Sequence, residues 1–315
     1  MIKIVVAGID IGGTNTVIGL VNRFGNIIFK TSIPTREADT PAMLVENVFN
    51  ALNPYLKSNS IILDRIGVGA PNGNFYTGNI EFAPNLPWKG IIPLAKLFQD
   101  KFSVPVKVTN DANAAALGEM IFGRAKGMKD FIFITLGTGV GSGIVANGKL
   151  VYGHDGFAGE IGHVIIERNG RPCGCGRKGC VETYCSAGGI VKTYLELSGD
   201  ISVNDSKQVT ELAMNGNKHA LDTFEKTAAY LAFELANSVA YTSPKAIFIF
   251  GGPSNAGDLL LTPLKKMFEE NLLEIYKNKI PILRSGLDEN DAAVLGSASL
   301  MFLESTLSEF REEDY

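Results

Sequence analysis

The chain has 315 residues, enough for a large core and two lobes. Hydrophobic content of 45% and charged content of 20% fit a soluble globular protein, and a net charge of −4 leaves no electrostatic footprint for nucleic acid. No apolar run reaches membrane-spanning length, since the nearest, Phe131 to Ala146, is interrupted by Gly137, Gly139, Gly141 and Gly143.

In chain order, Lys3 to Ile11 reads as a buried strand rich in Ile and Val. Gly12-Gly13-Thr14-Asn15 forces a turn, Thr16 to Val21 follows as a second strand, and Phe24-Gly25-Asn26 leads by a hairpin into Ile27 to Ile33. Thr40 to Leu56 has helical apolar spacing, with Pro41 suited to a first helical position. Arg65 to Ala70 reads as a strand, Trp88 to Phe102 contains a helix, and Val104 to Val108 is a strand. Asp111 opens an Ala-rich helix to about Phe122. A similar order then restarts. Asp130 to Leu136 and Ser142 to Ala146 are strands around a glycine turn, and Asn147-Gly148 predicts a type I′ hairpin into Leu150-Val151. The repeated order of strand, Gly/Thr loop, strand, hairpin and strand suggests two related lobes facing each other. Helices are expected at Ala187 to Leu197, Val209 to Met214, Ala220 to Tyr241, Leu259 to Tyr276 and Asp291 to Leu303. Strands are expected at Ala246 to Phe250 and Pro281 to Leu283. The polar, acidic residues Glu309 to Tyr315 are expected to fray.

Three glycine loops follow apolar strands: Asp10-Ile11-Gly12-Gly13-Thr14-Asn15, Gly137-Thr138-Gly139-Val140-Gly141 and Gly251-Gly252-Pro253. Any one of them is explained by a tight turn that needs positive φ. All three together favour nucleotide binding, because bare backbone N–H groups and Thr hydroxyls approach phosphate closely. Two other nucleotide signatures fail. The stretch Gly143 to Lys149 has Leu150 where a Walker motif needs Ser or Thr, and Gly137-x-Gly139 is followed by Ser142 where a dinucleotide fingerprint needs glycine.

Asp111 lies in Thr109-Asn110-Asp111-Ala112-Asn113, directly after a strand. At or near the helix N-cap it would cap, a role Asp fills well. It would equally serve as a general base that accepts a proton from a substrate hydroxyl. Position alone leaves both roles open.

His163, Cys173, Cys175 and Cys180 are spaced His-x9-Cys-x-Cys-x4-Cys, between Glu160 and Glu182. Imidazole nitrogen and thiolate sulfur are the ligands of structural Zn²⁺, and four of them close a tetrahedron with no position left for water. A Cys-x-x-Cys redox pair is absent, and an iron–sulfur cluster would more often use four Cys. With no signal peptide, the expected compartment is the reducing cytoplasm, which disfavours disulfides. Cys185 falls outside the spacing and reads as a small buried residue.

Together these pieces resemble the ROK family of sugar kinases, within the actin/Hsp70/sugar-kinase ATPase superfamily. The resemblance rests on Asp10-x-Gly12-Gly13-Thr14-Asn15, Asn110-Asp111-Ala112-Asn113, Leu136-Gly137-Thr138-Gly139-x-Gly141, Gly159-Glu160-x-Gly162-His163 and Cys173-x-Cys175-Gly176-x-x-Gly179-Cys180-x-Glu182. It implies an α/β chain of two actin-like (ribonuclease H-like) lobes, with mixed sheets flanked by helices, a central cleft and a small zinc-binding insertion. Residues 1–117 with about 292–315 would form the smaller lobe. Residues 118–291 would form the larger one, with a zinc segment over 163–180.

The family's catalytic base falls on Asp111. Its sugar contacts fall on Asn110, Glu160, His163 and Glu182, with Asn85 a looser candidate, and His163 would serve both zinc and sugar. Phosphate-loop roles fall on Gly12, Gly13, Thr14, Gly137 and Thr138, adenosine contact on Gly251 and Gly252, and Mg²⁺ placement on Asp10. The implied activity is Mg-ATP-dependent phosphorylation of a hexose at the 6-hydroxyl, glucose first. N-acetylmannosamine, N-acetylglucosamine, fructose, mannose and allose are the alternative sugars. A non-catalytic sugar sensor and an actin-like filament protein are the readings from other classes. Homodimers or homotetramers are expected, without nucleic acid or membrane partners. The chain begins at the first strand, so the helix-turn-helix of the family's repressors is not expected. One departure is Gly69-Ala70-Pro71-Asn72, where the family has Gly-x-Pro-Gly; Asn tolerates the left-handed backbone that such a turn requires.

Overall fold

The computed structural model describes residues 3–308; the acidic segment from Glu309 lies outside the described residues. The first strands are β1 (Lys3–Ile11), β2 (Asn15–Val21) and β3 (Ile27–Pro34), followed by α1 (Pro41–Ser58) and β4 (Ile61–Gly69). Short strands β5 (Ile80–Glu81) and β6 (Ile91–Ile92) precede α2 (Leu94–Phe102), β7 (Val106–Thr109) and α3 (Asp111–Ile121). Then come β8 (Phe131–Leu136), β9 (Val140–Ala146), β10 (Lys149–Leu150), α4 (Glu182–Cys185) and α5 (Ala187–Ser198). The chain continues through α6 (Ser206–Met214), α7 (Lys218–Thr242), β11 (Ala246–Phe250), α8 (Asp258–Asn271), β12 (Ile282–Arg284) and α9 (Ala292–Ser308).

Contacts divide the chain into two units. The first holds residues up to Gly127, Tyr152–Ala158 and residues from Gly286 onward; the second holds Met128–Val151 and Gly159–Ser285. The sheet of the first unit has the order β3-β2-β1-β4-β7, and that of the second has the order β10-β9-β8-β11-β12. In each, an antiparallel meander supplies one half and parallel crossovers the other. The two sheets share one topology, so the repeat seen in the glycine loops extends to the whole strand order.

In the first unit, β1 is buried on both faces through Val5, Val6, Ala7, Ile9 and Ile11, as a strand inside a sheet covered on both sides must be. Register sets Gly19, Gly8 and Gly67 side by side across β2, β1 and β4. A Cβ at Gly8 would lie 2.1 Å from the Val294 carbonyl oxygen, and one at Gly67 would lie 1.9 Å from that of Ser297. The glycine row therefore lets the backbone of α9 rest directly on the sheet. Thr40 caps α1 by accepting from Met43 N–H at 3.1 Å, and Pro41 opens that helix. Tyr152–Ala158 is tied into this unit by the Phe75–Tyr152 ring stack (4.1 Å between centroids) and by Asn74 Nδ2, which donates to Asp155 O at 2.7 Å.

In the second unit, Ile132, Ile134, Ile247 and Ile249 of β8 and β11 share one core with Ile190 of α5, Leu231 and Leu235 of α7, and Leu260 and Leu264 of α8. Asn147 and Gly148 have φ of 52° and 74°, the pair of positive angles that a type I′ turn demands. The expected helix Leu259 to Tyr276 is broken. α8 ends at Asn271, whose Nδ2 donates to Met267 O at 2.7 Å and so satisfies a terminal carbonyl; a short 3₁₀ turn, Glu274–Tyr276, follows. β4 begins earlier than the expected Arg65, because Ile61, Ile62 and Leu63 already pair with Lys3, Ile4 and Val5 of β1; Asp64 and Arg65 sit within the strand and pair with each other at 2.6 Å. Among the described residues, no helix is long and apolar enough to cross a membrane.

Candidate active site

In the first unit, register sets Asp10, Gly69 and Thr109 beside one another at the carboxyl ends of β1, β4 and β7. This is the edge at which open α/β sheets bind ligands. The turns leaving it carry Gly12-Gly13-Thr14, Ala70-Pro71-Asn72 and Asn110-Asp111. A Cβ at Gly13 would come within 2.7 Å of the Asn85 carbonyl oxygen, so the bare glycine lets this loop rest on the Asn85 backbone. Arg36 Nε donates to Gly13 O at 3.2 Å. Asn72 adopts φ 51°, and its Nδ2 donates to Glu81 O at 2.9 Å, fastening the departing loop to the segment that leads to Asn85. Thr14 and Asn85 are exposed.

Asn110, rather than Asp111, is the N-cap of α3; its Oδ1 accepts from Ala112 N–H at 2.8 Å and leaves its Nδ2 as a donor. Asp111 is the first helical residue, with Oδ1 also 2.8 Å from Ala112 N. Asp111 is open to solvent and hence to a small molecule, although the protein packed around its carboxyl raises the cost of its charge. Burial raises its pKa above the ordinary 3.8, against the backbone N–H groups of Ala112 and Asp111 that favour the charge. Burial, and then the neighbouring charge of Asp111, push Asp10 up to about 7.

A carboxyl raised on folding stabilises the fold while it is protonated, and that contribution is lost as pH rises from 3.8 to about 7. In ligand-free protein, Asp10→Asn is therefore expected to raise the melting temperature by roughly a few degrees at pH 8, with no gain near pH 4. Thermal denaturation at the two pH values checks this, and an equal effect at both would refute it.

In the second unit, Phe250 pairs with Thr135, so Gly251 follows β11 beside the end of β8. Gly251 has φ 98°, and a Cβ there would meet the Leu136 carbonyl oxygen at 2.1 Å. The Gly251-Gly252 turn thus packs next to Gly137. Ser142 on β9 bonds through its Oγ to Gly159 O and accepts from Ile161 N–H at 3.3 Å. A Cβ at Gly162 would overlap Val140 O at 1.9 Å. These contacts lay the segment carrying exposed Glu160 and half-buried His163 against the Gly137–Gly141 loop. Glu182 opens α4, and its Oε2 accepts from Val140 N–H at 3.1 Å. Thr138 is exposed at the loop tip.

His163, Cys173, Cys175 and Cys180 converge, with their ligand atoms all within 4.8 Å of one another. Cys175 Sγ and Cys180 Sγ are 3.7 Å apart, and Cys173 Sγ lies 3.6 Å from His163 Nδ1. A tetrahedron with metal–sulfur bonds of about 2.3 Å and a metal–nitrogen bond of about 2.0–2.1 Å has S···S edges of about 3.8 Å and S···N edges of about 3.5–3.6 Å. The four side chains therefore fit one metal ion in donor type and in spacing. Burial pushes the Cys173 thiol up to about 12 and Cys180 up as well, whereas at exposed Cys175 burial is outweighed by the Arg177 donors and the neighbouring Cys173 and Cys180 thiols, which bring it down to about 6, so Cys175 is the first of the three to ionise. Cys185 is buried outside the cluster, where its Sγ–H donates to Thr227 O.

Arg171 was not singled out by the sequence. It looks like one more loop charge, and only the structure brings its fork to α4 and α5. Its Nη1 donates to Thr183 O at 2.8 Å and to Gly189 O at 3.1 Å, its Nη2 to Thr193 Oγ1 at 2.9 Å, and both Nε and Nη2 reach Glu196. Its guanidinium lies 4.5 Å from the Tyr184 ring centroid. Arg171→Met would leave these partners unmatched and is expected to cost about 2–4 kcal/mol. Chemical denaturation checks this, and a variant as stable as the parent would show that the fork is dispensable.

The chain matches the model of the ROK family over residues 6–303. It is 39% identical to a glucokinase of Halalkalibacterium halodurans, over 93% of this chain and 94% of that one. A xylose repressor of Bacillus spizizenii is 29% identical, over 93% of this chain and 76% of the repressor. Among solved structures, a ROK family glucokinase from Streptomyces griseus in complex with glucose and AMPPNP superposes with a TM-score of 0.76 and 32% identity, over 94% of this chain and 98% of that one. The family match runs through both sheets, all three glycine loops and the His/Cys cluster, and the chain therefore belongs to the ROK family.

Proposed function

We propose that this protein transfers the γ-phosphoryl group of ATP to the 6-hydroxyl of a hexose, glucose in the first instance. The observation that carries the reading is Asp111. Asn110 takes over the capping, which leaves a solvent-reachable carboxylate at a ligand-binding strand edge whose turns include Gly12-Gly13-Thr14. The relatives named above as glucokinases, one of them holding glucose and AMPPNP, favour glucose among hexoses.

In this reading Asp111 accepts the hydroxyl proton as the sugar oxygen attacks the γ-phosphorus. The new O–P bond forms, the bond to the β-phosphate oxygen breaks, and ADP leaves with that electron pair. Gly12, Gly13 and Thr14 from the first unit, with Gly137 and Thr138 from the second, offer N–H and hydroxyl donors to the phosphates. Gly251 and Gly252 offer bare backbone to the adenosine. Asn85, Asn110, Glu160, His163 and Glu182 would hold the sugar hydroxyls. Mg²⁺, when bound with ATP, neutralises phosphate charge; Asp10 would hold it directly or through water, and its crowding with Asp111 is a repulsion that a divalent cation relieves. Zn²⁺ is the ion that best suits the three thiols and one imidazole, and its role would be to fix the loop that bears His163 and leads to Glu182. A cytoplasmic setting and a homodimer or homotetramer go with this reading, the latter open to sedimentation analysis.

The test is ADP release from MgATP with each of a panel of hexoses and N-acetylhexosamines, against a no-sugar control. Strong release with glucose supports the assignment. Release only with N-acetylmannosamine, N-acetylglucosamine, fructose, mannose or allose keeps the chemistry and replaces the substrate. Sugar binding without ADP release from any member would instead establish a non-catalytic sugar sensor.

A further inference from the structure

Glu182 stands where the metal-ligand cluster and the glycine loop of the second unit meet. Its Oε1 lies 3.7 Å from Cys173 Sγ, and its Oε2 accepts from Val140 N–H at 3.1 Å. The approach depends on Gly139, because a Cβ there would come within 2.5 Å of Oε2. The same segment fastens the loop a second time, since Ala187 N–H donates to Gly137 O at 2.8 Å. Inside the loop, Gly137 N–H donates to Gly139 O at 2.9 Å. Residues 182–187 thus hold the loop at Gly137 and at Val140, Glu182 being the side chain that reaches it from the metal-ligand segment, while Thr135 Oγ1 of β8 accepts from Gly141 N–H at 3.1 Å.

We propose that Glu182 is a positioning residue for the phosphate loop Gly137–Gly141, and that sugar and nucleotide affinities are coupled through its carboxylate. The proposal rests on the kinase reading above, which already gives Glu182 a sugar hydroxyl. An ionised carboxylate is an acceptor only, with two oxygens on one rigid plane. A sugar hydroxyl that donates to it restricts the plane that also receives Val140 N–H. Sugar binding therefore limits the range of loop shapes before nucleotide arrives. Coupling between two ligands is reciprocal, so the factor by which sugar tightens nucleotide must equal the factor by which nucleotide tightens sugar.

The test measures equilibrium binding of AMPPNP with Mg²⁺, and of glucose, each alone and with the other saturating. Glu182→Ala is expected to weaken AMPPNP about five- to tenfold in the absence of sugar, and to bring the coupling factor to one. Glu182→Gln keeps an acceptor for Val140 N–H and is expected to restore most of the sugar-free AMPPNP affinity. A residue that served only the sugar would leave that affinity unchanged in both variants, which would overturn the proposal. Gly139→Ala approaches from the loop side and covers the case in which Glu182→Ala does not fold. Gly139 is assigned no sugar contact, yet its new methyl group displaces the carboxylate, so glucose binding in nucleotide-free protein is expected to weaken. Unaltered glucose affinity in that variant would equally refute the coupling. A parent protein that binds neither AMPPNP nor any hexose would instead remove the kinase reading, and the coupling with it.

Discussion

Asp111→Ala is expected to lower kcat by about 10³-fold, within the range that a positioned general base contributes, while the melting temperature does not fall and glucose affinity stays near that of the parent. Asp111 does not cap α3. It lies at a helix start, where an acidic residue is ordinarily explained by capping, but Asn110 fills that place. Losing the carboxylate therefore leaves α3 with its cap. It also removes a group that burial drives toward protonation, so the fold itself has little reason to suffer. Activity and stability should thus separate. The acid limb of kcat/KM gives an independent reading of the same group. The base must be ionised to work, and burial raises its pKa above the ordinary 3.8, so activity should fall, on acidification, at a pH above that of a free carboxylate. Stability runs the opposite way, because the raised carboxyls of Asp10 and Asp111 penalise the ligand-free fold as pH rises. Turnover by Asp111→Ala that matches the parent would remove Asp111 from the chemistry.

Much of this architecture is written in local pattern. The apolar run Lys3 to Ile11 is a strand over those residues, and Asn147-Gly148 makes the turn that its residue types demand. The four metal-ligand candidates could be picked out because His-x9-Cys-x-Cys-x4-Cys is short-range; the segment need only fold back on itself to close the cluster. The left-handed angle at Asn72 was legible for the same reason, since one residue's backbone preference decides it. What stayed hidden depends on chain segments far apart. Nothing in the sequence near Gly8 or Gly67 says that α9, more than two hundred residues later, will lie on them. The division of labour between Asn110 and Asp111 is a choice between two good caps that only geometry makes. Arg171 and Tyr152–Ala158 were invisible because a buried guanidinium and a strap have no periodicity. Their partners, Thr183, Gly189, Asn74 and Phe75, become neighbours only once the chain has folded.

Cys175→Ser should have the largest effect on the fold. The segment from Gly159 to Glu182 contains only a short 3₁₀ turn, Ile161–His163, before α4; besides the Arg171 fork, it holds its shape through turn hydrogen bonds, isolated bridges and the convergence of four ligand side chains. A structural zinc site supplies roughly 10–16 kcal/mol of apparent binding energy to such a segment. That is comparable with the whole stability of a domain, about 5–15 kcal/mol. Serine keeps the volume of Cys175 but offers a hydroxyl that does not ionise near neutral pH, so the tetrahedron loses one charged corner. The expected result is metal content well below one ion per chain and a sharp fall in soluble yield. The damage should also reach the site. The residues carrying His163 and Glu182 flank the cluster, and Val140 N–H is held by Glu182, so the glycine loop loses its fastening along with the metal. Elemental analysis of purified protein distinguishes the outcomes. One zinc per chain in the parent and little in Cys175→Ser supports the clamp. A variant that keeps a full complement of metal, and with it full activity, would show that the four side chains converge for a reason other than zinc.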